Sequence, residues 1–389
     1  MIGKNHKLIE LVSIIIFISL FLTMKIFYSA GLDITEGVTL IIFATLCIFS
    51  LQRNIFISLV YLYWFIFFAL FIDSITPLST PDSYKYYVEA FKGGYYRTLG
   101  FSDILEGHIP IVEVGGMIIK TISRLMSTEN LKVIICFNIL LLVESSVLFS
   151  NLVRYKFNIS KIHSSILFLL LSMSPSVTSV GLELLKDIYV FFGIALSLYL
   201  MEKTKETKLY YFLLLSVFVV CTMLRVYFIL LLIPYVILFF EYRKKTFRFV
   251  VFVSIAYIIF AILFLRSGIV SIVFGSLASL ASPNFFRVTN WVNFPFTTLE
   301  ALLITILFFI TVLSSYLNKN YKSFLLISYI FIFSGSVLTG VSQNRLLNDS
   351  NYVSTGSLLN DDMSRKKVPF IPLYLTVIFV FSNKKLGRF

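Results

Sequence analysis

The sequence predicts an all-α, polytopic transmembrane protein of about 12 spans, and three observations carry that reading. The 389 residues are 58% hydrophobic and 14% charged, with a mean hydropathy of +0.91. A soluble domain carries about a quarter charged residues, and its core could not hide this much apolar surface, whereas lipid can solvate it. Apolar runs long enough for a bilayer recur along the chain, and Lys and Arg gather in alternate connections between them.

The spans fall near 8–28, 36–51, 54–73, 133–152, 163–181, 188–202, 209–224, 226–241, 249–266, 298–316, 323–341 and 367–382. The first run is longer than a signal-peptide core. Ser29-Ala30 gives only a faint cleavage-like site, so the run reads as an uncleaved span. Placing Lys4 and Lys7 in the cytoplasm puts more than half of the 33 basic residues on that side. They include Arg53, Arg154, Lys156, Lys161, Lys203, Lys205, Lys208, Arg243 to Lys245, Arg248, Lys319, Lys322, Lys384, Lys385 and Arg388. Of the 20 acids only Glu10, Glu202, Glu206 and Glu241 join them. Both termini are then inside, as the positive-inside rule requires.

Residues 109–126 are fairly apolar but hold Glu113, Gly115, Gly116, Lys120 and Arg124. A span there would turn the basic 154–161 connection outward, so the segment reads as an interfacial or re-entrant helix. A thirteenth span is the alternative. The chain is thus one integral membrane domain, residues 1–389, with outer loops at about 74–131, 267–297 and 342–366. Long loops are uncommon unless functional or disordered, which puts the machinery on the outer face.

The net charge of +13 invites a nucleic-acid reading, but the cations recur in short clusters and form no single patch. Cys47, Cys136 and Cys221 sit inside apolar runs, and His6, His108 and His163 are scattered. No metal-ligand spacing results, and neither a metal nor another cofactor is expected.

Candidate chemistry lies at the outer ends of spans. In TPDSYKYYVEAFKGGYYRTLG (80–100), residues 83–91 form an amphipathic helix with Tyr84, Tyr87 and Phe91 at helical spacing. Asp82 is read either as its N-cap or as a surface carboxylate that takes a proton from a sugar hydroxyl. Glu183, Lys186 and Asp187 cluster at the start of the next site, 182–200. An acid is favoured at a helix start, whereas a Lys is disfavoured there and calls for an anionic partner. Arg225 separates two short spans. Snorkelling explains it, and so does a guanidinium that grips phosphate. The closing loop holds Arg345, Asp349, Asp361, Asp362, Arg365, Lys366 and Lys367. Its three consecutive cations depart from the positive-inside trend, as a solvated loop or as an anion-binding rim. Arg266 and Arg287 are weaker candidates, and Glu144 inside a span either pairs with a neighbouring cation or bears on function.

One carboxylate and several cations on one face suit a lipid-linked phosphosugar. The leaving phosphate needs Arg, Lys or a metal, and no carboxylate cluster offers the metal. The membrane, holding the lipid tail, supplies effective concentration.

Asp82-Ser-Tyr-Lys-Tyr-Tyr followed by GHIPIVEVGGMIIKTI resembles the first exterior loop of GT-C class glycosyltransferases. SPSVTSVGLELLKDIYVF, LRVYF and SRKKVPFIP add to the likeness. The outline also resembles bacterial O-antigen and capsule repeat-unit polymerases, some of which carry an Arg followed by Gly about ten residues on, as Arg345 and Gly356 do here. The loop follows the third span rather than the first and holds no paired acids, which favours the polymerase over a single-sugar transferase.

The resemblance implies a metal-independent, GT-C-like glycosyltransferase of the bacterial inner membrane with its active site facing the exterior. It joins polyprenyl-diphosphate-linked oligosaccharides for O-antigen or capsule, with membrane lipid and a chain-length regulator protein as partners and no nucleic acid. Asp82 would activate or orient the acceptor, and Lys186, Asp187, Arg225, Arg345 and Arg365 would bind diphosphate and glycan. The alternatives are a GT-C enzyme that adds one sugar from polyprenyl phosphate, and a glycan flippase or transporter.

Overall fold

The structure is a computed structural model. It describes residues 42–43, 45–47, 49–50, 54–71, 74–92, 111–126, 128–203, 207–225, 227–240, 252–259, 269–348 and 365–381. Among the described residues there is no strand. The helices run in order as α1 (Ile55–Phe71), α2 (Pro81–Phe91), α3 (Ile111–Met126), α4 (Leu131–Phe157), α5 (Lys161–Ser172), α6 (Pro175–Gly181) and α7 (Asp187–Lys203). Then come α8 (Lys208–Leu224), α9 (Phe228–Phe240), α10 (Ile269–Ala281), α11 (Val288–Asn293), α12 (Pro295–Leu317), α13 (Tyr321–Asn348) and α14 (Ile371–Phe381), the last entered through a 3₁₀ turn, Val368–Phe370.

Most of the apolar runs read from the sequence fall on these helices. The run at 163–181 is divided: α5 and α6 meet at 49°. Pro175 has no N–H to continue α5, and Ser174 Oγ accepts from Val177 N at 3.3 Å, capping a new helix. The run at 8–28 lies outside the described residues. Those at 36–51 and 249–266 are described only in fragments.

Among the described residues α4, α12 and the Tyr321–Leu338 part of α13 are long and apolar enough to cross a bilayer, and α5 with α6 makes a fourth if they form one broken span. α1, α8, α9 and Val368–Phe381 are apolar but shorter.

Helix α12 shows why lipid is the solvent. Thr298, Ala301, Ile304, Phe308, Thr311 and Ser315 are buried, while Leu299, Leu303, Ile306, Ile310, Leu313 and Leu317 on the other face are exposed. A water-soluble helix shows the reverse pattern. Leaving six such side chains in water forgoes roughly 10 kcal/mol, which is comparable to the whole stability of a domain. In lipid nothing is lost, and small or hydroxyl side chains are what let membrane helices pack closely. The protein is membrane-embedded and helical.

Close contacts divide the chain into two compact units. The first comprises Met1–Glu144 and Thr178–Tyr189, the second Ser145–Val177 and Val190–Phe389.

In the first unit α2 packs along α3. The pair Gly115-Gly116 makes this approach possible. A Cβ on Gly115 would lie 2.6 Å from Tyr86 Cε1, and one on Gly116 would lie 2.5 Å from Glu89 Cγ. On α1, Tyr61, Trp64 and Phe68 are buried, with Phe43 and Phe68 rings 5.4 Å apart.

In the second unit α10 and α13 form the most extensive helix pair. A Cβ on Gly335 would meet the backbone of α10 at Ser276 Cα, 2.5 Å away. Helix α14 lies in the core against α12 and α5. Tyr374 is its anchor, with its hydroxyl 2.5 Å from Ser279 Oγ and its ring 5.5 Å from that of Phe308.

Two expected loops contain helix. The 267–297 stretch carries α10 and α11, because IVSIVFGSLASLA is apolar and free of proline yet shorter than the ~20 residues that mark a span. In the 342–366 stretch, α13 continues to Asn348. Gln343, Arg345, Leu346 and Leu347 are good helix formers, and no proline stops them.

Candidate functional site

In the first unit two sites that look separate in sequence are tied together. Helix α2 is capped by Thr80, and Asp82 is not the N-cap. Thr80 Oγ1 accepts from Ser83 N at 3.3 Å, and Ser83 Oγ accepts from Thr80 N at 3.2 Å, a reciprocal capping box. Thr80 Oγ1 in turn donates to Glu183 Oε2 at 2.8 Å. The same turn is held twice more. Leu184 N donates to Pro77 O at 3.2 Å, and Asn138 Nδ2 donates to Glu183 O at 3.2 Å. The TPDSYKYY and LELLKD stretches are thereby one local structure.

Asp82 is the second residue of α2, in its first turn, where an acid suits the helix dipole. Its side chain is 29% exposed, with Oδ1 3.8 Å from Lys85 Nζ. Tyr84, Tyr87 and Phe91 stack along one face of α2, with successive ring centroids 6.3 and 5.5 Å apart. Asp187 opens α7 and is 1% exposed, whereas Lys186 is half-buried just ahead of it. The acid at a helix start is as read from the sequence, and its burial is not.

Glu144 sits at the middle of α4 and its Oε1 accepts from the buried Tyr61 hydroxyl at 2.5 Å. The sequence placed the acid in a span; its tyrosine partner carries no sequence signal.

In the second unit Arg225 closes α8. Its backbone is extended (φ −144, ψ 104), its N–H donates to Cys221 O at 2.8 Å, and its carbonyl accepts from Phe228 N at 2.7 Å. The connection between α8 and α9 is as tight as the sequence implied. The side chain is covered by protein. It is 9% exposed, its Nη1 donates to the Tyr227 hydroxyl, and its guanidinium carbon lies 5.5 Å from the centroid of that ring. Arg345 lies on the last turns of α13. Arg365 and Lys366 are half-buried and Lys367 is buried, so this run is not a solvated loop. Arg287 is exposed at the start of α11, and Arg266 and Gly356 lie outside the described residues.

Glu300 was not among the residues the sequence singled out. It is the one charged residue in α12. Its Oε1 accepts from Ser174 Oγ at 2.5 Å, and its Oε2 accepts from Ser176 N at 3.0 Å and from Ser176 Oγ. A carboxylate from α12 thus caps the N-terminus of α6 at the break between α5 and α6. The available signal was the isolated acid in an apolar span, which is costly there unless it is partnered or functional. Its partners, two serines far away in sequence, could not be read.

Among the described residues no three His, Cys, Asp or Glu side chains cluster as metal ligands. Charged side chains are fixed at helix starts and breaks within each unit: Asp82 and Asp187 in the first, Arg225 and Glu300 in the second. No family model, curated protein or solved structure matches the chain.

Proposed function

We propose that the protein is a polytopic membrane glycosyltransferase, crossing the bilayer about 12 times with a GT-C-like plan. It joins polyprenyl-diphosphate-linked oligosaccharide repeats into O-antigen or capsule on the outer face of a bacterial inner membrane. Arg225 is the observation that carries this reading: a guanidinium 9% exposed, held at a break between two apolar helices. Insertion scales charge about 2.5–3.5 kcal/mol for an Arg at mid-bilayer, so a cation kept among apolar helices needs a reason. A lipid-anchored diphosphate supplies one, because a guanidinium binds phosphate through two parallel hydrogen bonds.

In this reading the growing chain is the donor, and its diphosphate is the leaving group. Asp82 orients or deprotonates the acceptor hydroxyl. Lys186, Arg225, Arg345 and Arg365 are proposed to bind diphosphate and Asp187 to bind glycan, since cations offset the charge that develops on a leaving diphosphate. The experiment is the surface glycan of a deletion strain. A ladder collapsed to one repeat supports the polymerase. Loss of one sugar from every repeat supports the single-sugar transferase, and an unchanged ladder sinks both.

A flippase or transporter is favoured by one observation, Glu144 at the centre of α4 with the Tyr61 hydroxyl on it. Transporters place ionisable groups near the bilayer midplane. Glu144→Gln keeps an acceptor for Tyr61 but removes the charge. Intact chain extension in that variant supports the polymerase, and loss of ion-coupled glycan transport supports the transporter.

A further inference from the structure

Helix α11 is inverted for a segment in water. The side chain it buries is polar: Asn290 Nδ2 donates to Asn284 O at 2.9 Å, and the Asn290 carbonyl accepts from Thr298 Oγ1 at 3.1 Å and from Phe294 N at 2.8 Å. Its apolar side chains are left outside. Phe286, Val288, Val292 and Phe296 are each at least 73% exposed, and Trp291 and Phe294 are exposed to a smaller extent. This exposure is built in, since Trp291 Nε1 donates to Phe285 O at 2.7 Å and Arg287 N donates to Asn284 O at 3.1 Å.

What covers this surface follows from its neighbour. Helix α12 starts at Pro295, directly after Phe294, and is long and apolar enough to cross a bilayer. Phe296 heads the stripe that α12 turns to lipid, because Leu299, Leu303 and Ile306 follow it at spacings of three and four residues. At 1.5 Å per residue the 23 residues of α12 run to about 35 Å, against a hydrocarbon core of ~30 Å. Its first turn therefore lies at a boundary of the core, and α11 lies beyond it at the level of the head groups. Tryptophan and phenylalanine suit that level. So does the charge. Arg287 is exposed and is the one charged residue in 269–299, with no acid between Glu241 and Glu300. A lone cation beside lipid has phosphate to face. The same depth accounts for Glu300. Lying about 8 Å along α12, its carboxylate falls just inside the core, where an acid needs the partners that Ser174 and Ser176 provide.

We propose that Phe286 to Phe296 form an interfacial anchor on phospholipid. Phe286, Val288, Val292 and Phe296 enter the bilayer where acyl chains meet head groups, and Arg287 faces lipid phosphate. Part of the stretch expected as an outer loop is thus a membrane-contacting surface. The anchor does not depend on the glycosyltransferase reading.

Trp64 and Trp291 are the two tryptophans, and Trp64 is buried in α1. Trp64→Phe leaves Trp291 as the single indole emitter of the full chain. Its fluorescence is measured in phosphatidylcholine vesicles brominated near the carbonyl end of the acyl chain, in vesicles brominated near its methyl end, and in unbrominated vesicles with iodide on both sides. The expected loss of emission is greatest with the shallow bromine, smaller with the deep bromine and smallest with iodide. Should Trp64→Phe fail to fold, the difference between the native chain and Trp291→Phe reports the same residue. Val292 is exposed, so Val292→Asp disturbs no packing and adds a charge that the anchor cannot bury. Shallow-bromine quenching is then expected to weaken and iodide quenching to strengthen.

Iodide as the strongest quencher means a solvated loop and overturns the anchor. Deep bromine as the strongest places α11 in the core and overturns it too. Protection from all three quenchers means that protein covers the face, whether a second copy or another partner, and removes lipid as the occupant. An unchanged profile in Val292→Asp also overturns it. The glycan ladder of a deletion strain bears on the proposed function alone.

Discussion

Thr80 Oγ1 donates to Glu183 Oε2 at 2.8 Å while accepting from Ser83 N, so one hydroxyl both caps α2 and ties it to the turn before α7. Together with the bond from Leu184 N to Pro77 O, this side chain sets the mutual placement of the Asp82 and Lys186-Asp187 stretches. Thr80→Val keeps the shape and removes both bonds. Loss of an N-cap costs about 0.5–2 kcal/mol, and a bond to a charged group about 1.5–3 kcal/mol. The expected result is a melting temperature several degrees lower for the purified chain in detergent, with Thr80→Ser close to the native value. An unchanged Thr80→Val melt removes the tie as a stabilising element.

Gly115 faces Tyr86 across the α2–α3 pair, where an added Cβ would lie 2.6 Å from the ring. Gly115→Ala is an overpacking change of roughly 1–3 kcal/mol. The ring atoms that clash vanish in Tyr86→Ala, which itself destabilises by leaving a cavity. The cost of Gly115→Ala in the Tyr86→Ala background falls, giving a coupling energy of about 0.5–3 kcal/mol in a double-mutant cycle of thermal or denaturant unfolding. Strict additivity would mean that the two helices do not pack through these residues.

Asp82 and Lys85 form a partly exposed i,i+3 pair, of the kind that contributes only ~0.2–0.5 kcal/mol. Asp82→Asn should therefore leave insertion and melting temperature nearly unchanged. Under the proposed function it abolishes chain extension, read as the glycan ladder in a complemented deletion strain. The same surface tests sidedness. A single cysteine at Tyr84, in a chain cleared of Cys47, Cys136 and Cys221, reacts with a membrane-impermeant maleimide from outside intact cells. Labelling only after cell lysis overturns the outward placement of this loop and with it the site.

Arg225 is held by Tyr227 and by two backbone bonds that do not need its side chain. Arg225→Lys keeps the charge and loses the planar fork, and Arg225→Ala loses both. Chain extension is expected to fall about tenfold or more in Arg225→Lys and to vanish in Arg225→Ala, with both proteins in the membrane at native level. Native activity in Arg225→Lys would reduce the residue to a point charge, and native activity in Arg225→Ala would remove it from the site.

Much of the helical plan was legible because its cause is local. Apolar runs of bilayer length and good helix formers are properties of consecutive residues, and they place α1, α8, α9 and α12 within a few residues, whereas α4 and α13 begin as read and run on to Phe157 and Asn348. Helix α10 was missed for the same reason, since a 13-residue apolar run falls below the length that marks a span. The break at Ser174-Pro175 was written in the sequence as a cap before a proline, but a span-length window passes over it.

The sequence by itself determined that this is a helical membrane protein, that Asp187 begins a helix and that Arg225 lies between two apolar runs. Only the tertiary structure decided that Thr80 rather than Asp82 caps α2, that Glu183 joins two distant stretches, and that Glu300 reaches across to Ser174 and Ser176. It alone decided that Lys367, at the edge of an expected loop, is buried. The division follows from range. Hydropathy and helix propensity act between residues close in the chain, whereas the hydrogen bonds and charges of a site act between groups that folding brings together from far apart.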